Sequence, residues 1–215
     1  MEYLKLIDSG IQTVTSFFRT GFHNRFDVYV YPRRSLLDST WSKDWKINNF
    51  KSECWMVASG IASKIDMISP KNWDKESCEH TYSDAVNTQR LITHELVHVF
   101  HGQFNLSPDF GDVENIDWFV EGLATYVSGQ CDPERIAKIK PAISGENVPD
   151  SLGKFWTGNL RYGLSGSMAM YIDHKYGKST LISLLKYNKV SGILAALKTT
   201  ENELIKGWKG YVLTL

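Results

Sequence analysis

The chain has 215 residues, 42% hydrophobic and 13% aromatic, enough for one large domain, or two small lobes around a shared cleft, without covalent staples. Twenty-four basic residues balance twenty-four acidic ones and neither sign forms a block, so there is no electrostatic footprint for nucleic acid or an anionic membrane. No run approaches a membrane span, and Glu2, Lys5 and Asp8 interrupt the apolar stretch that a secretory leader needs.

Residues 3 to 18 set Leu4, Ile7, Ile11, Val14 and Phe18 at steps of three and four, which predicts an amphipathic helix with a structural role. Phe26 to Tyr31 alternates β-rich residues up to Pro32 and reads as a strand. The stretch from Arg33 to Lys51, with Trp41 and Trp45, carries no clear period. Two further strands are predicted at Cys54 to Ala58 and Lys64 to Ile68, flanking Ser59 to Ser63. Residues 70 to 82 read as loop, with His80 a solvated loop histidine.

Ser83 or Asp84 caps a long helix that continues to about residue 104. Residues 105 to 115 are loop, and Ile116 to Val127 is again helical, stopped near Gly129. A short helix follows Pro133 as far as Lys140, with Pro141, Gly145 and Pro149 punctuating the next loop. Leu160 to Tyr176 with Gly177 as its stop, Ser179 to Tyr187 and Ile193 to Leu197 are helical in turn. Thr200-x-x-Glu203 fits a capping box opening a last helix through Trp208 and Val212. Strands early and helices late predict an α+β fold: a single domain over 1–215, with an N-terminal α/β part to about 104 and a helical part from about 105. Cys54, Cys78 and Cys131 are odd in number and show no C-x-x-C spacing, so free or buried thiols in a reducing compartment are expected, a lone Cys54–Cys78 bridge being the alternative. Cytoplasmic localisation follows, with secretion the alternative if the N-terminus is a trimmed one.

The chemistry lies in Thr93-His94-Glu95-Leu96-Val97-His98, inside the long helix. Residues four apart share one face a turn from each other, so the imidazoles of His94 and His98 converge on one ion. Glu95 is one step round from His94, where its carboxylate reaches a water on that ion without becoming a ligand. A hydrolytic zinc site wants a third protein ligand and one open position. His101 shares the face but lies about 10 Å along the axis from His94, too far for one ion, and Gly102 follows it too late to bend the chain back. His101 therefore reads as a polar residue stabilising the last helical turn. Glu121, an acidic residue among apolar neighbours on the next helix, is the better candidate, because such a carboxylate needs a partner.

Taken with His94-Glu95-Leu96-Val97-His98, the segment Trp118-Phe119-Val120-Glu121-Gly122-Leu123-Ala124-Thr125-Tyr126 resembles the gluzincin zinc metallopeptidases, whose W-x-x-E-G-x-A-x-Y pattern it matches residue by residue. The resemblance implies a zincin-like fold with one Zn²⁺ per chain on His94, His98 and Glu121. It places the edge strand beside the active-site cleft at Gly60 to Ser63, with a plain β-turn there as the competing reading. It also implies a tyrosine or histidine from the C-terminal half as a donor to the developing oxyanion. Tyr162, at the start of a C-terminal helix, is the candidate, with Tyr126 and Arg161 as competitors.

Two functions are thereby expected to compete. In the first, a metallopeptidase cleaves a peptide or protein substrate, with Glu95 as general base passing the proton to the leaving amine. In the second, a zinc-stabilised domain of the same fold binds peptide with little or no turnover. Thr125 and Asp117 are both placed to orient the histidines. Endopeptidase and aminopeptidase action, and the oligomeric state, stay open.

Overall fold

The computed structural model describes residues 2–215. Helix α1 (Glu2–Phe18) buries Ile7, Val14 and Phe18 against the long helix α4 (Ala85–Phe104), whereas Leu4 of the expected stripe is exposed. Strand β1 (Asp27–Tyr31) leads into α2 (Arg34–Asp44), a helix in the stretch where the sequence carried no period. Its burial explains the missing signal, because Leu37, Asp38 and Trp41 are its only buried residues and Trp41 supplies most of the apolar volume.

Strands β2 (Ala58–Ile61) and β3 (Lys64–Ile68) form a hairpin, and the sheet order is β1-β3-β2. β1 runs parallel to β3, pairing Val28 with Ile65, while β2 is antiparallel to β3, pairing Gly60 with Ile65. The sheet is therefore mixed, and β2 is an edge. The expected strand at Cys54 to Ala58 is shifted toward the C-terminus: only Ala58 lies in β2. The guanidinium of Arg34 donates to the carbonyls of Glu53, Cys54 and Met56, withdrawing those acceptors from any ladder. Gly60 and Ile61 are strand and Ala62 and Ser63 form the turn, so each of the two readings of that segment holds for half of it.

The expected loop at 70 to 82 contains a 3-10 turn at Pro70–Asn72 and α3 (Trp73–Glu76), which buries Trp73. Trp73 joins Leu37, Trp41, Val57, Ile68 and Leu91 in a small core. The larger core unites α1 and the inner side of the sheet with α4, α5 (Asp117–Val127), α6 (Pro133–Ser144), α7 (Arg161–Tyr176), α8 (Lys178–Ser183), α9 (Val190–Leu197) and α10 (Glu201–Thr214). Helix α6 runs on through Pro141, four residues past its expected end. The α10 capping box is formed, with the Thr200 side chain accepting from the Glu203 N–H and Glu203 answering to the Thr200 N–H. The fold is thus α+β, a small mixed sheet followed by a helical half.

Cys54 and Cys78 are joined in a disulfide and Cys131 alone is free and buried. The expectation of three thiols is therefore corrected for two of them. The sequence pattern concealed the pair because it joins two loop segments that Arg34 holds together: its guanidinium also reaches the carbonyl of Glu76.

Candidate metal centre and cleft

Asp84 caps α4, accepting from the Asn87 N–H at 3.0 Å, and this sets the register that turns His94 and His98 to one side. Two close approaches fix the elements around them. A Cβ on Gly60 in β2 would collide with the Glu95 carbonyl oxygen and crowd the His98 Cβ, so there is no room for a side chain. Gly122 in α5 likewise abuts the Ser165 backbone of α7. The first seats the edge strand on the histidine helix, and the second seats the Glu121 helix on the C-terminal half.

His94, Glu95 and His98 are 7%, 8% and 6% exposed. Glu121 Oε2 lies 3.2 Å from His94 Nε2 and 3.6 Å from His98 Nε2, and the three ligand atoms all fall within 4.8 Å of one another. A tetrahedral ion with bonds of about 2.1 Å separates its ligands by about 3.4 Å. The 3.2 Å and 3.6 Å separations bracket that value, so two imidazoles and a carboxylate here can hold one metal ion. Burial alone would raise the Glu121 carboxyl, but the charge of His98 and hydrogen bonds from both histidines outweigh it and hold Glu121 well below the ordinary carboxylate range.

Glu95 faces the same cleft. Burial pushes its carboxyl up to about 7, opposed by the His94 charge and the Gly60 N–H and reinforced by the Glu121 charge. A cation on the three ligands acts in the opposite sense and favours the carboxylate.

The orienting contact of His94 is one that residue spacing missed: Nδ1 lies 2.8 Å from the Gln130 side-chain oxygen. Thr125 is fully buried with its hydroxyl unpaired, and Asp117 lines the cleft while its side chain is exposed, so neither takes this role toward His94. His98 Nδ1 is buried without a hydrogen-bond partner among the described residues.

His101 is outside the ligand set and fully buried. Its Nε2 donates to the Leu185 carbonyl at 3.1 Å, tying α4 to the chain after α8, and burial followed by the His98 charge lowers it to about 3. It is a buried neutral anchor, more than the helix-terminal polar residue expected. His80 is likewise not a solvated histidine: it is half-buried on the cleft wall, with Nε2 against the Trp55 carbonyl at 3.1 Å.

The cleft has a volume of about 990 Å³. Its floor is α4 with the ligands, one wall is β2, and Tyr162 stands on the other with Trp156, their rings 4.8 Å apart. Burial and then the Glu121 charge raise the Tyr162 phenol, against the pull of Arg161 and Arg135. Tyr126 is committed elsewhere, donating to Asp173 at 2.9 Å. Arg161 lies over the Trp55, Trp156 and Tyr162 rings. Among the described residues no helix is long and apolar enough to cross a membrane. No protein-family model, no curated protein and no solved structure matches this chain.

Proposed function

We propose that the chain is a zinc-dependent metallopeptidase of zincin-like fold, of the gluzincin type. The observation that supports this most is the meeting of His94, His98 and Glu121 within 4.8 Å on the floor of a cleft, with the Glu95 carboxyl on the same turn of α4 and an edge strand alongside. Two imidazoles and one carboxylate are a donor set suited to zinc in a hydrolytic site. When bound, zinc supplies a Lewis acid that polarises the scissile carbonyl and brings the pKa of a coordinated water toward neutrality.

The rest belongs to the protein. Glu95, favoured as the carboxylate by a cation on the three ligands, would take the proton of the attacking water and deliver it to the leaving amine. Gln130 holds the His94 ring by Nδ1, leaving Nε2 as the ligand atom. Backbone groups of β2 receive an extended peptide as an added strand. The Tyr162 phenol, kept protonated, donates to the carbonyl oxygen as it gains charge. The Cys54–Cys78 bridge favours an oxidising compartment for this activity over the cytoplasmic one.

The test is metal content of the purified protein, followed by chelator-sensitive cleavage of a mixed peptide library by wild type and by Glu95→Gln. One zinc per chain, cleavage by wild type and loss of cleavage in Glu95→Gln with zinc retained are expected, because the amide cannot accept the proton. Zinc with peptide binding and no cleavage by wild type makes the chain a binding domain instead.

A further inference from the structure

The cleft is polarised along α4. At its His94 end stand Gln130, Arg135, Trp156 and Tyr162, with Trp55 opposite. At its His98 end stand Phe110, whose ring lies 6.1 Å from His98 and 5.1 Å from His101, and the aspartates Asp109 and Asp117. The His94 end carries Arg135, with Glu79 on the lining next to His80 and the Trp55 carbonyl, and the His98 end carries Asp109 and Asp117.

The His94 end holds two guanidiniums that the fold does not neutralise. Arg135 lies 4.7 Å over the Tyr162 ring, and Arg161 lies 5.2 Å over the same ring and 5.1 Å over Trp55. Arg161 also donates to the Tyr162 hydroxyl, and because stacking engages only the faces of a guanidinium the remaining in-plane N–H donors of both are left for a ligand. Among the described residues neither has a carboxylate at ion-pair distance. The acids nearest Arg135 in sequence are engaged by others, Asp132 by Arg90 at 3.1 Å and Glu134 by Lys138 at 2.7 Å. Arg135 lines the cleft and Arg161 lies over three rings that line it, Trp55, Trp156 and Tyr162, so two half-buried guanidiniums at one end of the cleft fit a planar anion, and a carboxylate above all.

The direction of β2 agrees with this. The strand runs from Ala58, just after Trp55, past Gly60 on Glu95, to Ile61, where the next residue, Ala62, donates to the Pro108 carbonyl near Phe110. A peptide added antiparallel to β2 therefore runs from the His98 end toward the arginines, its C-terminal side at Trp55, Arg135 and Arg161.

The geometry points to a carboxylate subsite, built by Arg135 and Arg161, that selects peptides carrying an anionic group on the leaving-amine side of the scissile bond. This rests on the peptidase reading for its place in a reaction, but not for its binding. The carboxylate comes either from the free C-terminus or from an Asp or Glu side chain. The substrate class is thus short peptides ending close to the cut, or peptides acidic just beyond it.

The test measures binding apart from turnover, on full-length zinc-loaded protein carrying Glu95→Gln, with tryptophan fluorescence as the readout. Four probes are used: one neutral peptide as free acid and as C-terminal amide, and one amidated peptide with Glu or with Gln after the central bond. The charged member of at least one pair should bind about ten- to a hundredfold more tightly. Preference in the first pair names the C-terminus as the source, and in the second a side chain. Adding Arg135→Gln or Arg161→Gln should abolish the preference, with the corresponding lysine variants between, since lysine keeps the charge without the fork. Where a glutamine variant fails to fold, the lysine variant decides by the same criterion. Equal or absent binding of all four probes overturns the subsite, as does a preference that survives both substitutions. Cleavage by wild type is read separately: cleavage without charge preference sinks the subsite and spares the peptidase, while charge-selective binding without cleavage does the reverse.

Discussion

The Gln130 side-chain oxygen accepts from His94 Nδ1 at 2.8 Å, and this contact joins the histidine helix to the turn after the Glu121 helix. It leaves Nε2 as the ring nitrogen that would face a metal ion and holds the imidazole at a set angle. Gln130→Ala should weaken zinc binding by about ten- to a hundredfold with the fold intact, measured by competition with a chelator. Thr125→Ala should leave zinc affinity unchanged, because the Thr125 hydroxyl is buried and makes no hydrogen bond to either histidine. The reverse ranking would return the orienting role to Thr125.

Three alanine substitutions rank the candidates for third ligand. Glu121→Ala removes the oxygen that lies 3.2 Å and 3.6 Å from the two imidazole nitrogens and should abolish stoichiometric zinc. Asp117→Ala, one turn earlier, and His101→Ala, whose Nε2 is turned to the Leu185 carbonyl, should both keep it. Elemental analysis after gel filtration reads the outcome, and zinc retained in Glu121→Ala would remove the proposed centre.

The parts of this site that sequence displayed are those set by helical period. His94, His98 and Glu95 follow from one turn of α4, and Glu121 from an isolated acid on an apolar helix. What stayed hidden was set by tertiary geometry. Gln130 follows a left-handed Gly129 at φ +77, and no spacing announces that the chain there doubles back onto His94. Helix α2 was obscured because only Leu37, Asp38 and Trp41 of it are buried, and the start of β2 because Arg34 organises that region through carbonyls remote in sequence. The Cys54–Cys78 bridge was concealed for the same reason.

That bridge supports the loop carrying Trp55, which stacks on Arg161 across the cleft. With a sequence separation of 24, closing the loop restricts the unfolded chain by up to about 3.5 kcal/mol. Replacing both cysteines by serine should lower stability by a value up to that, read by urea unfolding. Peptide affinity should fall as well, whereas zinc content should not, since no ligand lies in the loop. Loss of zinc in the variant would show that the bridge supports the metal centre directly.

His101 makes the stability of the metal-free protein depend on pH. It stays neutral in the fold down to about 3, whereas an unfolded histidine titrates near about 6.5. Between those values the unfolded chain binds a proton that the folded one refuses, so stability is present above about 6.5 and is lost as pH falls. The slope for one proton is about 1.4 kcal/mol per pH unit. Urea unfolding from pH 6 to pH 4.5 should show a slope steeper by about that amount in wild type than in His101→Gln. Parallel slopes would mean that His101 is protonated in the native state.

Tyr162 carries the most specific mechanistic expectation. Attack on a peptide carbonyl moves negative charge onto its oxygen, and a metal meets that charge from one side only, so a donor opposite the metal lowers the barrier further. The phenol lines the same cleft as Glu95 and Glu121, has the guanidiniums of Arg135 and Arg161 within 4.7 Å and 5.2 Å of its ring, and is raised by burial so that it remains a proton donor at neutral pH. Its rival Tyr126 donates to Asp173, and that carboxylate is also paired with Lys178 at 2.5 Å, which keeps the Tyr126 hydroxyl engaged away from the metal centre. Tyr162→Phe removes the hydroxyl and keeps the ring on which both arginines stack, so zinc content and thermal stability should match wild type. An interaction made only in the transition state lowers kcat and leaves KM almost alone, and the expected loss in kcat is about ten- to a thousandfold. Tyr126→Phe should lower stability and spare kcat, because it breaks a structural hydrogen bond remote from the reacting atoms. If Tyr162→Phe turns over at the wild-type rate, Arg161 becomes the donor to test, by replacing it with lysine and with methionine and comparing kcat at constant peptide.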